Sequence, residues 1–185
     1  GKKEELTVLF SDIRGFTSIS EALDSKELTH LMNEYFGAMT PVVQKNRGTL
    51  DKYIGDAIMA FWGAPLPDAD HARHAVQTAL AMQTELRKLD AQFTERGWPL
   101  LHIGVGVNTG TMTVGDMGSE VRKSYTVMGD AVNLGSRLEG ITKKYGVGII
   151  VSETTKQLAD KHVYRELDRV RVKGKAQAVP IYQPL

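Results

Sequence analysis

Two aspartates lie where predicted β-strands end or turn, and together they have the ligand chemistry of a divalent-cation site. Asp12 follows the apolar run 6–10, which predicts a first strand, and Asp56 stands after Gly55 between two strand-like runs. If these strands are neighbours in one sheet, the two carboxylates meet at one edge. Mg²⁺ takes oxygen ligands and is often held by one or two carboxylates together with substrate phosphates. The alternative is an ordinary turn aspartate at 56 and a helix N-cap at 12.

Asn133 and Arg137 form a second candidate group. They are four residues apart in a segment with helical spacing, so they project from one face near the start of that helix. The helix dipole favours anions at this end. An arginine and an asparagine that converge there suit a phosphate and a ribose, whereas the alternative is a pair of solvated polar side chains.

Basic residues form a third group. Lys173 and Lys175 flank a glycine, shortly after Arg169 and Arg171 on a predicted strand. Such a cluster is able to screen a triphosphate, but charged edge strands also serve simply to prevent aggregation. Lys52 differs because it lies inside a strand-like run just before the acidic turn, where the alternative is a weak surface ion pair.

The elements that must position these groups give an α+β pattern. Strand-like runs cover 6–10, 49–54, 57–62, 101–108, 111–114, 124–128, 147–151, 163–173 and 179–182, and helical spacing covers 28–43, 68–93, 131–145 and 153–159. Asp24 is the expected N-cap of the first long helix, which Pro41 should bend or end early. Thr109-Gly110 is expected to turn the chain. We expect one domain over 1–185, with a mainly antiparallel sheet and helices on one face.

The run 101–108 has an unusual alternation. Apolar residues at 101, 103, 105 and 107 alternate with a nearly bare face that includes Gly104 and Gly106. A strand without side chains on one face lets another element pack closely, so we interpret these glycines as packing positions rather than a phosphate loop.

Composition and absent motifs exclude several classes of protein. The chain has no cysteine, which removes disulfide scaffolds, thiolate nucleophiles and zinc ribbons. Lys and Arg number 23 against 22 Asp and Glu, so a globally basic nucleic-acid binder is disfavoured and no nucleic-acid partner is expected. No run approaches the ~20 apolar residues that span a bilayer. P-loop, complete Gly-x-Gly-x-x-Gly and His-Glu-x-x-His motifs are absent, and His71 and His74 are interpreted as surface histidines.

Five segments in order resemble the class III nucleotidyl cyclase catalytic domain, and the resemblance covers nearly the whole chain. They read FSDIRGFT at 10–17, KYIGD at 52–56, GVGVNTG at 104–110, YTVMGDAVNLGSR at 125–137 and VKGK at 172–175. The resemblance implies a ferredoxin-like, mainly antiparallel sheet flanked by helices. It also implies a head-to-tail homodimer with two shared active sites.

The resemblance assigns roles to individual residues. Asp12, Asp56 and the Ile13 carbonyl would hold two Mg²⁺ or Mn²⁺ ions. The partner protomer would contribute the remaining groups: Asn133 to orient the ribose, Arg137 to offset charge on the α-phosphate, Lys173 with Arg122 to hold the terminal phosphates, and Lys52 with Thr126 to read the base.

The pair Lys52 and Thr126 indicates ATP as substrate, because guanylyl cyclases place Glu and Cys, or a similar small residue, at those positions. A threonine hydroxyl both donates and accepts, so discrimination against GTP is expected to be less strict.

The resulting hypothesis is an adenylyl cyclase that converts ATP to 3′,5′-cyclic AMP and pyrophosphate in signal transduction. The alternatives are a guanylyl cyclase and a non-catalytic nucleotide-sensing dimerisation module. A diguanylate cyclase is opposed by the hairpin, which lacks the Gly-Gly-Asp/Glu-Glu-Phe signature. We expect a cytoplasmic domain with a regulatory domain elsewhere in its parent chain, which is either free or membrane-anchored.

Overall fold

A single eight-stranded sheet organises the computed structural model, which describes residues 1–172 and 176–185. The elements follow in chain order as β1 (Lys2–Ile13), α1 (Phe16–Ala22), α2 (Ser25–Lys45), β2 (Thr49–Ile54), β3 (Ala57–Trp62), α3 (His71–Lys88), α4 (Asp90–Glu95), β4 (Ile103–Ser119), β5 (Arg122–Met128), α5 (Asp130–Gly140), α6 (Thr142–Tyr145), β6 (Ile149–Ser152), α7 (Glu153–Leu158), β7 (Tyr164–Val170) and β8 (Val179–Pro184).

The strand order is β2-β3-β1-β4-β6-β8-β7, and β5 pairs with β4. The pairing of β4 with β6 is parallel, and the other pairings are antiparallel. The predicted α+β fold, with a mainly antiparallel sheet flanked by helices, is therefore confirmed.

The turn expected at Thr109-Gly110 is wrong, because β4 continues through both residues. Thr109 pairs with Thr7 and Gly110 pairs with Leu6 of β1. The first strand is twelve residues long, well beyond the apolar run 6–10, so it supplies ladder partners along the whole stretch. Backbone hydrogen bonding to this long neighbour overrides the local turn preference of a Thr-Gly pair.

Helix α2 begins as predicted but does not end at its proline. The Asp24 carboxylate accepts a hydrogen bond from the Glu27 backbone N–H at 2.8 Å, which caps the helix. The helix continues past Pro41 to Lys45, and Val42 and Val43 beyond the proline are buried in the core. Their burial holds the last turn in place despite the one backbone hydrogen bond that a proline removes.

Helices cover both faces of the sheet, so the expectation of helices on one face is wrong. Val105 and Val107 of β4 face the core cluster built with α2 and α3. The opposite face of β4 carries α5, and a Cβ added at Gly106 would lie 2.3 Å from the Glu139 backbone nitrogen. The prediction that the glycine face of β4 allows close packing is confirmed, because the α5 backbone contacts the strand directly at Gly106.

Within the described ranges, no helix is both long and apolar enough to cross a membrane.

Candidate active site

The two candidate metal-binding carboxylates lie at one edge of the sheet. Strands β1 and β3 are antiparallel neighbours, which places the end of β1 beside the start of β3. Asp56 lies in the β2–β3 turn, where Gly55 adopts a φ of +61°. The Ile13 backbone N–H donates to Asp56 Oδ2 at 2.9 Å, so β1 itself orients this carboxylate.

The electrostatics of this edge favour a cation. The pKa of Asp12 is raised to about 7, first by burial and then by the hydrogen bond to Asp56 and the negative charge of that carboxylate. Glu139 of α5 lies close enough to contribute to the same charge density, and burial raises its pKa to about 7 as well. No sequence pattern marks Glu139 as a site residue, because its position in the helical pattern is that of an ordinary polar residue.

The oxygen atoms at this edge fit a divalent cation whose remaining ligands come from water and a bound phosphate. In residues 1–172 and 176–185, no cluster of three or more His, Asp or Glu side chains has metal-binding geometry. Asp12, Asp56 and the Ile13 carbonyl would supply three oxygen atoms, and the other coordination positions would go to water and phosphate, as Mg²⁺ prefers.

Lys52 and Thr126 are brought to one place by a residue that the sequence analysis missed. The Thr126 hydroxyl donates to Asp51 Oδ2 at 2.5 Å, and Lys52 Nζ lies 3.6 Å from Asp51 Oδ1. The Asp51 side chain is 0% exposed, whereas that of Lys52 is 45% exposed. Asp51 is the extra residue of a β-bulge, since Leu50 pairs with Ala60 and Lys52 pairs with the adjacent Met59. No local sequence signal marks this bulge.

Asn133 and Arg137 are exposed on α5, as the helical spacing predicts. The buried Asn108 fixes the first turn of this helix, because its Nδ2 donates to the Ala131 carbonyl at 2.7 Å. Gly135 seats the middle of the helix, where an added Cβ would lie 2.7 Å from Val8 Cγ1. The two polar side chains therefore project from a helix whose distance from the sheet is fixed by close contacts.

The remaining candidates have different outcomes. Arg122 is exposed at the start of β5. Lys173 lies outside the described residues.

The interpretation of His71 and His74 as surface histidines is wrong, because their side chains are only 12% and 14% exposed. His71 Nδ1 lies 2.7 Å from the Thr7 hydroxyl, which ties the start of α3 to β1.

Comparison with known proteins identifies the family. Residues 1–183 match the model of the adenylate and guanylate cyclase catalytic domain. The chain belongs to this family. The predicted resemblance to class III nucleotidyl cyclases is thereby confirmed.

Individual relatives of this cyclase domain include both substrate types. Adenylate cyclase 1 of Rhizobium meliloti (strain 1021) is 37% identical over 98% of the chain, which spans 27% of that relative's length. The crystal structure of the adenylyl cyclase CyaB from P. aeruginosa superimposes with a TM-score of 0.92 and 39% identity, covering 100% of this chain and 95% of the other. The guanylyl cyclase Cya2 structure gives 0.90 and 39%, covering 100% and 93%. Overall similarity therefore does not separate ATP from GTP, and the site residues must.

Proposed function

We propose that this cyclase domain is an adenylyl cyclase, which converts ATP to 3′,5′-cyclic AMP and pyrophosphate. The observation that carries the proposal is the meeting of Lys52 and Thr126 at the Asp51 carboxylate. These two side chains come from different strands, β2 and β5, and both lie next to the same carboxylate.

The chemistry of this pair favours adenine over guanine. A lysine ammonium only donates hydrogen bonds, and it would meet the N1 lone pair of adenine. Guanine instead carries a proton on N1, which would oppose the ammonium. The Thr126 hydroxyl would accept from the N6 amine of adenine. A mismatch at either position leaves a polar group without a partner, which is the basis of strong discrimination between similar substrates.

The reaction is an in-line displacement at the α-phosphate. A bond forms between the ribose 3′-oxygen and the α-phosphorus while the bond to the leaving pyrophosphate breaks, and the 3′-hydroxyl proton passes to solvent. Arg137 would offset the charge that develops on the α-phosphate, and Asn133 would orient the ribose for attack. Lys173 with Arg122 would hold the terminal phosphates.

Metal ions would complete the site at Asp12, Asp56 and the Ile13 carbonyl. Bound Mg²⁺ or Mn²⁺ supplies Lewis-acid stabilisation of the attacking and leaving oxygens. The protein's own part is to hold two carboxylates at one sheet edge, with Asp56 oriented by the Ile13 N–H at 2.9 Å. The raised pKa of Asp12 supports this assignment, because a cation there would offset both the partial burial of this carboxylate and its repulsion by Asp56.

We further propose that two copies of the chain form each active site. Large hydrophobic side chains near Lys52 and Thr126, the base-reading pair, are exposed: Tyr53 is 42%, Ile54 53% and Met128 56% exposed. A partner protomer would cover them. Since the chain spans 27% of one larger relative, we place it in a longer regulated protein, acting in the cytoplasm where ATP is available.

An assay of the purified chain with ATP and GTP, each with Mg²⁺ and with Mn²⁺, tests the proposed function. We expect cyclic AMP and pyrophosphate in equal amounts, and a higher kcat/KM for ATP than for GTP. A higher value for GTP would make the chain a guanylyl cyclase. Nucleotide binding without any product, at a concentration where the chain is dimeric, would make it a sensing module.

Complementation tests the shared site. Asp12→Asn and Arg137→Ala should each be almost inactive alone. Random pairing of the two variants would give one intact site in half of the dimers, so the mixture should recover about a quarter of wild-type activity. Each variant mixed with itself at the same total concentration is the control. A mixture that stays silent although heterodimers form would refute the shared site.

A further inference from the structure

The hydrogen-bonding direction of Thr126 is fixed by a buried carboxylate. Thr126 donates its hydroxyl proton to Asp51 Oδ2 at 2.5 Å. A carboxylate accepts hydrogen bonds and donates none, so this contact uses the only proton that the threonine has. What remains on the Thr126 oxygen is lone-pair capacity.

The fold holds Asp51 firmly in this role. Asp51 is the bulged residue of β2, and its side chain has no solvent exposure. Bulges commonly redirect a side chain next to a functional site. Thr126 is 8% exposed, so little water is present to compete for its proton. Among the described residues, Asp51 Oδ1 has no hydrogen-bond partner, and Lys52 Nζ is 3.6 Å away from it.

We propose that Asp51 is a positioning residue for base selection, which makes Thr126 an obligate acceptor and so sets the preference for ATP over GTP. This inference rests on the proposed adenylyl cyclase function. The adenine N6 amine is a donor and fits an obligate acceptor, whereas the O6 of guanine is an acceptor and meets a second set of lone pairs. A threonine free to rotate would serve either base, which is the less strict selection expected from the sequence alone.

The same carboxylate also acts on Lys52. Its Oδ1 draws the ammonium toward the strand pair from one side, while almost half of the Lys52 side chain stays exposed. Asp51 thus lies next to both the donor, Lys52, and the acceptor, Thr126, although it does not itself touch the base.

The substitution Asp51→Asn tests the inference, because the Asn amide is able to donate to Thr126 and release its proton toward the base. We expect the ratio of kcat/KM for ATP to that for GTP to fall roughly tenfold or more, which is the size of effect given by one unsatisfied hydrogen bond. Asp116→Asn is the matched control: it makes the same chemical change at an exposed residue of β4, next to the residue that pairs with Thr126, and should leave the ratio unchanged.

The outcomes separate this inference from the proposed function. A wild-type chain that forms no cyclic AMP rejects the proposed function. A wild-type chain that prefers ATP, together with an Asp51→Asn variant of unchanged ratio, rejects the role of Asp51. Equal losses with both nucleotides show a purely structural residue and also overturn it. If Asp51→Asn melts far below the wild type, Asp51→Ser repeats the measurement, because its shorter side chain removes the carboxylate that accepts the Thr126 proton.

Discussion

Gly106 lies where the backbone of the sheet directly contacts the backbone of the helix that carries Asn133 and Arg137. A Cβ at residue 106 would lie 2.3 Å from the Glu139 nitrogen and 2.6 Å from the Gly135 oxygen, where ordinary contacts begin at 3.4 Å. Both neighbours are backbone atoms, so no side-chain rotation relieves the clash. Gly106→Ala therefore requires α5 to move away from β4 by about 1 Å.

This displacement has a structural and a functional cost. Overpacking of this kind destabilises a protein by about 1–3 kcal/mol, which for a chain of this size lowers Tm by roughly 3–10 °C. A shift of ~1 Å in the groups that position a substrate costs on the order of 100-fold in rate. Because Asn133 and Arg137 are residues of α5, they would move with it. We therefore expect kcat to fall on the order of 100-fold while the chain still folds.

Thermal melting and a cyclic AMP assay at saturating ATP and Mn²⁺ measure the two effects. Gly140→Ala is the matched control, because it is the same substitution in α5 at a position with no atom within 4 Å of the added Cβ. That variant should keep its activity and gain slight stability. A Gly106→Ala protein with wild-type kcat would refute the argument that close packing on β4 sets the position of the catalytic groups.

Two further perturbations test the sheet edge that carries Asp12 and Asp56, and the packing of α5 against β4. The pKa of Asp12 is about 7 in the fold against 3.8 when unperturbed, so between these values the native state holds a proton that the unfolded chain has lost. Metal-free stability should therefore fall as pH rises from about 4 to about 7 and level off above that. Mn²⁺ should restore Tm at pH 8, and Asp12→Asn should remove part of the decline in Tm with pH. A Tm that rises with pH in the absence of metal would contradict the raised pKa of Asp12. Asn108→Leu loses the hydrogen bond to the Ala131 carbonyl and should cost about 1–3 kcal/mol in urea unfolding and also lower kcat, whereas unchanged kcat would contradict its role in fixing α5.

Local patterns predicted the types of most elements because their causes are local. The cap at Asp24, the hairpin at Gly55-Asp56 and the helical spacing of Asn133 and Arg137 each depend on a few consecutive residues, and the structure contains all three. The errors have non-local causes. The Thr109-Gly110 stretch is extended because a long neighbouring strand pairs with it. Of the two outcomes expected at Pro41, a bend or an early end of the helix, the early end does not occur because the residues beyond the proline are buried.

The sequence by itself determined the family, since five spaced motifs carry it, and it identified Asp12, Asp56, Lys52, Thr126, Asn133 and Arg137 as candidate site residues. Only the tertiary structure decided which other side chains act on them. Asp51 reaches Thr126 across 75 positions of the chain, through a bulge in β2. The packing of α5 on the sheet brings Glu139 close to Asp12 and Asp56. Periodicity and propensity describe neighbours along the chain, whereas hydrogen-bond direction and charge crowding depend on distances through space, which exist only once the sheet and its helices have packed.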